Sequence, residues 1–323
     1  MSRVYILGID GYLGWRLREY LLERGHQVAG CDNFFRRDAA ESLVPIIRPR
    51  GGNGISGFNV NSVEVLKIAL RGFNPDVIVH FAEIPSAPYS MSSFGAMMQT
   101  QQNNVLGSLS VLYAIRMECP AAHLIKLGSM GEYCPSSWYH MSKVLDSENC
   151  KYAADLWNLR ITDVMQGPVY GVGGRFDYDD IWGTVINRWV AMGLAGHDLL
   201  VYGDGEQVRA FLPIEDSMQC FAVEIMNPPE PGEYRVVNQY AKRHTLNELA
   251  GMTADLCGVG VDHIENPRVE KNSYSGATGN EWLQDHGYEP TEDTYTALQK
   301  LVEHVRPYKE RIDPSRFAPK VRW

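Results

Sequence analysis

The stretch "VYILGIDGYLGWRLREYLLERGHQVAGCD", residues 4–32, decides the fold. "VYIL" (4–7) is a continuous apolar run, the pattern of a strand buried on both faces. "GWRLREYLLERG" (14–25) carries Leu17, Tyr20 and Leu21 at helical spacing, and "QVAGC" (27–31) is a second strand. Between the first strand and the helix stand Gly8, Gly11 and Gly14. In a strand–turn–helix unit the first glycine permits a tight turn and the second lets backbone approach a pyrophosphate. The third lets helix and strand pack closely. The phosphates then rest on the helix amino terminus, where free N–H groups and the dipole favour an anion. Asp32 closes the second strand. A carboxylate there accepts hydrogen bonds from the adenosine ribose and repels a 2′-phosphate, which favours NAD over NADP. Arg36 and Arg37 follow closely and work against that preference.

The alternation continues outward. "DVIVHF" (76–81) and "HLIKLGS" (123–129) read as strands, and "ALRGF" (69–73) ends a helix. Long helices are expected over 101–118 and 136–157. Such alternation implies right-handed βαβ units and an α/β, Rossmann-type doubly wound parallel sheet. Beyond about residue 170 the pattern loosens into Gly- and Pro-rich segments, with helices expected near 180–195, 245–257 and 293–306. Residues 1–168 are therefore expected to form a cofactor-binding domain. Residues 169–323 are expected to form a smaller substrate lobe, the chain crossing between them.

Lysine plus arginine number 30 against 39 aspartates and glutamates, a net charge of −9, which argues against a non-specific nucleic-acid binder. No apolar run reaches the length of a membrane span and no signal peptide is evident, so a cytoplasmic protein is expected. The six cysteines are scattered without a CxxC pair, which suggests neither zinc nor a disulfide framework. Asp177, Asp179 and Asp180 in "FDYDD" are read as a helix start, and no metal site is expected.

The chemistry is expected in "WYHMSK", where Tyr139 and Lys143 are four apart and so share a helical face. A neighbouring ammonium makes a phenolate less costly, so Tyr139 can take a proton from a sugar hydroxyl as hydride leaves. Ser129, just past a strand, can share that proton. Ser129, Tyr139 and Lys143, in this order behind a dinucleotide fingerprint, resemble the extended short-chain dehydrogenase/reductase family. "NNVLG", with Asn104 and Gly107, and "VYGDGEQVRAFLPIED" fit its nucleotide-sugar branch. The motifs "GIDGYLGW", "DNFFRR", "SAPYSM", "KLGSMGEY", "YHMSKVLDS", "FDYDDIWGT" and "NPRVE" are similar to the UDP-sulfoquinovose synthase family. This resemblance implies a resident NAD and a nucleotide-activated sugar as substrate. It places Arg209 and Arg268 on the diphosphate, with Met130, Glu132 and His140 beside the sugar, although by themselves Glu132 equally fits a local cap and His140 a packing contact with the neighbouring helix. Tyr12, Leu13, Asn33, Arg36, Asn59, Val60, Phe81, Ala82 and Asn104 complete the cofactor set, and Asn187, Tyr202 and Gln207 the substrate set. A homodimer is expected through the apolar stripes of the helices over 101–118 and 136–157.

Departures from the family shape the functional expectation. Only Cys134 to Trp138 separate "GEY" from Tyr139, where the family carries a long insertion. Ile84 and Pro85 replace a Gln-Arg pair, which removes an obvious partner for sulfite. Met130 and Gly131 stand where 4,6-dehydratases carry two acids. The expected activity is epimerisation through a transient 4-keto intermediate with internal hydride return. The alternatives are sulfite addition as in the sulfoquinovose synthases, dehydration, or, in another class, a non-catalytic dinucleotide sensor. The sensor would need Asp32 and the glycines but not Ser129, Tyr139 and Lys143.

Overall fold

The computed structural model describes residues 1–269 and 279–323, so Glu270 of the "NPRVE" motif lies outside the described residues. The cofactor half runs β1 (Arg3–Leu7), α1 (Tyr12–Glu23), β2 (Gln27–Asp32), α2 (Phe35–Ala39), β3 (Ile55–Gly57), α3 (Val63–Phe73) and β4 (Val77–His80). It continues with α4 (Ala87–Ser92), α5 (Phe94–Gln101), a π turn at Gln102–Leu106 and α6 (Gly107–Glu118). Then come β5 (His123–Leu127), a 3-10 turn at Met130–Tyr133, α7 (Trp138–Trp157) and β6 (Arg160–Gln166). The second half contains β7 (Val169–Tyr170), α8 (Val185–Leu194), β8 (Leu199–Tyr202), β9 (Val208–Pro213), α9 (Ile214–Met226) and β10 (Tyr234–Gln239). It ends with β11 (Lys242–Thr245), α10 (Leu246–Cys257), β12 (Val261–Ile264), α11 (Glu281–Asp285) and α12 (Thr294–Val305).

Seven parallel strands form one sheet in the order β10-β6-β5-β4-β1-β2-β3. The strand order reverses between β1 and β4, and a crevice opens there at their carboxyl ends. Both faces of the sheet are covered, which is why its strands read as unbroken apolar runs. On one face Tyr5, Leu7 and Ile78 pack with Leu66, Leu70 and Ile115 of α3 and α6. On the other, Val4, Ile6 and Val79 pack with Leu17 and Leu21 of α1 and with Met218 and Phe221 of α9. The chain therefore returns across residue 168: α9 covers the sheet and β10 extends it. The smaller lobe has its own core, built on Trp189, Leu199, Leu249 and Leu301.

The helix expected over 101–118 begins earlier, at Phe94, and runs through the π turn into α6. That turn carries Asn104, whose amide clasps the backbone of Ile84: its oxygen accepts from the Ile84 N–H at 2.8 Å and its nitrogen donates to the Ile84 carbonyl at 3.2 Å. The same nitrogen donates to Ser142 on α7 at 3.0 Å, so one side chain ties the end of β4 to the helix that carries Tyr139. The expected helix start in "FDYDD" is not there. α8 begins at Val185 with Thr184 as its cap: Asp179 accepts from the Ile181 and Trp182 N–H groups in a turn that does not continue as helix, and all three acids are bound by arginines. Asp177 pairs with Arg175 and Arg36, Asp179 with Arg316, and Asp180 with Arg188 and Arg268.

Candidate active site

The glycine turn has the geometry its spacing predicts. Gly8 has φ +83°, and a Cβ there would stand 2.7 Å from the Ala82 nitrogen at the end of β4. A Cβ on Gly14 would stand 2.1 Å from the Gly8 carbonyl oxygen, so helix and turn meet backbone to backbone. The free amino terminus of α1 is aimed into a cleft of about 240 Å³ lined by Gly8, Gly11, Asp32, Asn33, Arg36, Asn59, Val60, Phe81 and Ala82. Asp32 accepts from the Phe34 N–H at 2.7 Å and the Asp10 N–H at 3.0 Å, and burial raises its carboxyl above the usual carboxylate range. The two arginines behind Asp32 are occupied. Arg37 binds the Asp10 carboxylate at 2.9 Å, together with Arg48 at 2.8 Å. Arg36 lies 3.7 Å above the Trp182 ring and 3.2 Å from Asp177. These residues fit an adenosine dinucleotide without a 2′-phosphate.

A second cavity of about 370 Å³ adjoins the first and shares Gly8, Gly11, Arg36, Phe81 and Glu83 with it. Tyr12, Leu13 and Gly14 line it from α1, Ser129, Met130 and Gly131 from the end of β5, and Tyr139 and His140 from α7. Ser137 caps α7 by accepting from the His140 N–H, and Ser90 of α4 accepts from the Tyr139 N–H at 3.0 Å, so the first turn of α7 is pinned at two points. Lys143 lies one turn on, its ammonium 6.0 Å from the Tyr139 ring centre. It is buried, donates to the Leu127 carbonyl and forms an ion pair with Glu83. Burial lowers its pKa to about 8.

His140 and Glu132 are placed differently from one another. His140 reaches the cavity, its Nδ1 accepts from the Ser136 N–H at 3.2 Å, and burial followed by the charge of Arg209 lowers its pKa to about 4. It is a neutral imidazole at pH 7, with its proton on Nε2 beside Gly131. Glu132 turns away from the cavity. It closes a capping box by accepting from the Ser129 N–H at 2.7 Å, and its other oxygen accepts from Ser147 at 2.6 Å. Behind it lies a buried cluster in which Lys126 stands 3.3 Å from Asp163, 3.6 Å from Glu132 and 3.7 Å from Asp146.

The residues expected on the nucleotide divide into two groups. Asn187 lines the sugar cavity and is fixed by two bonds to the Gly171 backbone. Tyr202, Gln207 and Arg268 gather instead around Asp180. Asp180 accepts from Tyr202 at 2.9 Å and Arg268 at 2.8 Å, while Gln207 donates to the Tyr202 carbonyl. Arg209, on β9, donates to the Val208 carbonyl and has its charge near His140. Glu83, Arg175, Trp182, Pro168 and Thr184 line the cavity and escaped the sequence reading. Glu83 had a signal, a charged residue just past the carboxyl end of a central parallel strand. Arg175 had none, since its position depends on a loop folding back over α2, where it donates to the Arg36 carbonyl at 2.6 Å. Among the described residues no group of three or more acids, histidines or cysteines could hold a metal ion.

A family profile described as the NAD dependent epimerase/dehydratase family matches residues 4–238. The chain is 34% identical over its whole length to a UDP-sulfoquinovose synthase of the chloroplast of Spinacia oleracea, covering 79% of that protein. It is 32% identical to a UDP-sulfoquinovose synthase of Sulfolobus acidocaldarius, covering 99% of this chain and 97% of that one. The fold matches the crystal structure of the UDP-glucose 4-epimerase of Thermus thermophilus in complex with NAD with a TM-score of 0.75. That match has 22% identity and covers 94% of this chain and 99% of the other. With its glycine turn, its strand-end acid, a serine and a tyrosine lining one cavity and a lysine behind them, the chain is an enzyme of the NAD dependent epimerase/dehydratase family.

Proposed function

We propose that the chain is a nucleotide-sugar epimerase working through a transient 4-keto sugar. The observation that carries this reading is the single cavity that holds Ser129 and Tyr139 against the glycine turn, with Lys143 behind. NAD, when bound, accepts the C4 hydride of the sugar and gives it back. Tyr139 takes the proton of the C4 hydroxyl, the Lys143 ammonium lowers the cost of its phenolate, and Ser129 Oγ orients that hydroxyl. The wall beside Ser129 consists of Met130 and Gly131, which offer no side-chain acid to expel a leaving group at C6. The two cavity acids are already engaged, Glu83 by Lys143 and Asp177 by Arg175 and Arg36. The keto sugar is therefore reprotonated and reduced from the opposite face. The six unpaired cysteines suit a reducing cytoplasm. Leu109, Tyr113 and Met117 of α6 and Met141, Leu145 and Leu156 of α7 form exposed apolar stripes, which supports a homodimer joined by these helices.

A second reading is sulfite addition. It is favoured by the two whole-length relatives and by Arg36 and Arg175, cationic groups that line the cavity. Against it, Pro85 lines the cavity without a donor, His140 is neutral, and Asp177 neutralises part of the arginine charge. Incubation with UDP-glucose, NAD and sulfite, followed by mass analysis, separates the two. The expected product is a C4 epimer without sulfur, and a sulfonate-bearing product overturns the epimerase reading. Among the described residues no helix is long and apolar enough to cross a membrane.

A further inference from the structure

Glu83 sits just past β4, where both cavities meet. Its side chain is 2% exposed and that of Lys143 1%, and the two form a direct ion pair. Neither oxygen of Glu83 has a hydrogen-bond partner among the described residues beyond this contact. Its place is rigid, because Asn104 clasps the next residue, Ile84, on both its N–H and its carbonyl. A buried carboxylate costs several kcal/mol unless paired, so its only compensation among the described residues is the ammonium that also serves Tyr139.

We propose that Glu83 is a positioning residue: the buried counter-ion that holds Lys143 in line with Tyr139 and governs how readily Tyr139 releases its proton. This inference rests on the reading of Tyr139 as the proton acceptor. The Lys143 ammonium is held at two points, the Leu127 carbonyl and the Glu83 carboxylate, which fixes its distance from the phenol ring. The Glu83 charge also opposes the burial that lowers the Lys143 pKa, so the ammonium persists to the pH at which a phenol ionises. Other charged groups face the pair. Asp146 and Cys150 on α7 and Asp163 on β6 act on Lys143, Lys126 on β5 donates to its backbone carbonyl, and His80 of β4 lies near it. Glu132 lies beyond Lys126, while His140 and the charge of Arg209 stand on the tyrosine side. Burial outweighs Asp146 and Asp163 and leaves Lys143 at about 8 without Glu83. In Glu83→Gln the ammonium is therefore lost before the phenol ionises, and phenolate formation becomes harder.

The test reads Tyr139 directly. Protein labelled with 13Cζ-tyrosine is titrated by NMR as purified, with Tyr139→Phe used to assign the resonance. Glu83→Gln is expected to move the Tyr139 titration up by about one pH unit, a tenfold change in its ionisation constant, and Glu83→Asp to leave it near wild type. An unchanged or downward-shifted titration in folded Glu83→Gln overturns the proposal. If Glu83→Gln does not fold, Glu83→Ala serves in its place with the same expected direction. Absorbance of bound NAD at 340 nm on adding UDP-glucose to the wild type tests the C4-oxidation reading alone, and its failure leaves the tyrosine titration interpretable.

Discussion

Gly14→Ala is expected to uncouple cofactor binding from the rest of the fold. A Cβ at Gly14 would stand 2.1 Å from the Gly8 oxygen and 2.9 Å from both the Gly8 carbon and Ile9 Cα. All three atoms are backbone, so no rotamer change relieves the clash. Ordinary contact needs roughly 3.4 Å, so α1 must retreat by roughly 1 Å from the turn. Overpacking of this kind costs about 1–3 kcal/mol, offset by about 1 kcal/mol because alanine is the better helix former. The net loss of stability is therefore modest, about 0–2 kcal/mol. The larger effect falls on NAD, because the retreat withdraws the amino terminus of α1 from the place where a diphosphate sits. An affinity loss of roughly ten- to a hundredfold is expected, matching the loss of one or two charge-assisted hydrogen bonds. The control is Gly251→Ala in α10, where an added Cβ meets nothing within 4 Å and is expected to be neutral or stabilising by up to about 1 kcal/mol. Urea unfolding and calorimetric NAD titration of both variants decide the matter. A Gly14→Ala protein that binds NAD as tightly as the wild type would show that backbone contact at the turn does not place the phosphates.

Asp32→Ser is expected to weaken NAD binding roughly tenfold and to narrow its advantage over NADP, since it removes a charged acceptor; an unchanged preference in competitive titration refutes the assignment of Asp32 to the ribose. His140 ionises near pH 4 when folded and near 6.5 when unfolded, so its contribution is complete above pH 6.5 and is lost as the pH falls toward 4. His140→Gln is expected to remove on the order of 2 kcal/mol from the wild type's loss of stability between pH 7 and pH 5, measured by urea unfolding; an unaltered pH dependence counts against a neutral buried imidazole. Combined Tyr113→Glu and Leu145→Glu substitutions are expected to turn a dimer into a monomer by light scattering at micromolar concentration, and a monomeric wild type refutes the interface.

The sequence by itself determined the sheet, the glycine turn and the order of the chemical groups. These are local signals: unbroken apolar runs mark strands buried on both faces, and three glycines at fixed spacing mark a turn that side chains would block. Tyr139 and Lys143 were legible for the same reason, since positions four apart share a helical face. Only the tertiary structure decided what the charged residues do. Asp177, Asp179 and Asp180 read as a helix start because capping is a local device, but Arg36, Arg175, Arg188, Arg268 and Arg316 bind them, several from far along the chain. Glu132 read as a group beside the sugar, and the structure commits both its oxygens to Ser129 and Ser147. Glu83, which the sequence marks only as a charge beyond a strand, meets Lys143 because two parallel strands and a helix converge at one crevice. A buried charge must be paired wherever the fold brings a partner, and spacing along the chain does not record which partner that is.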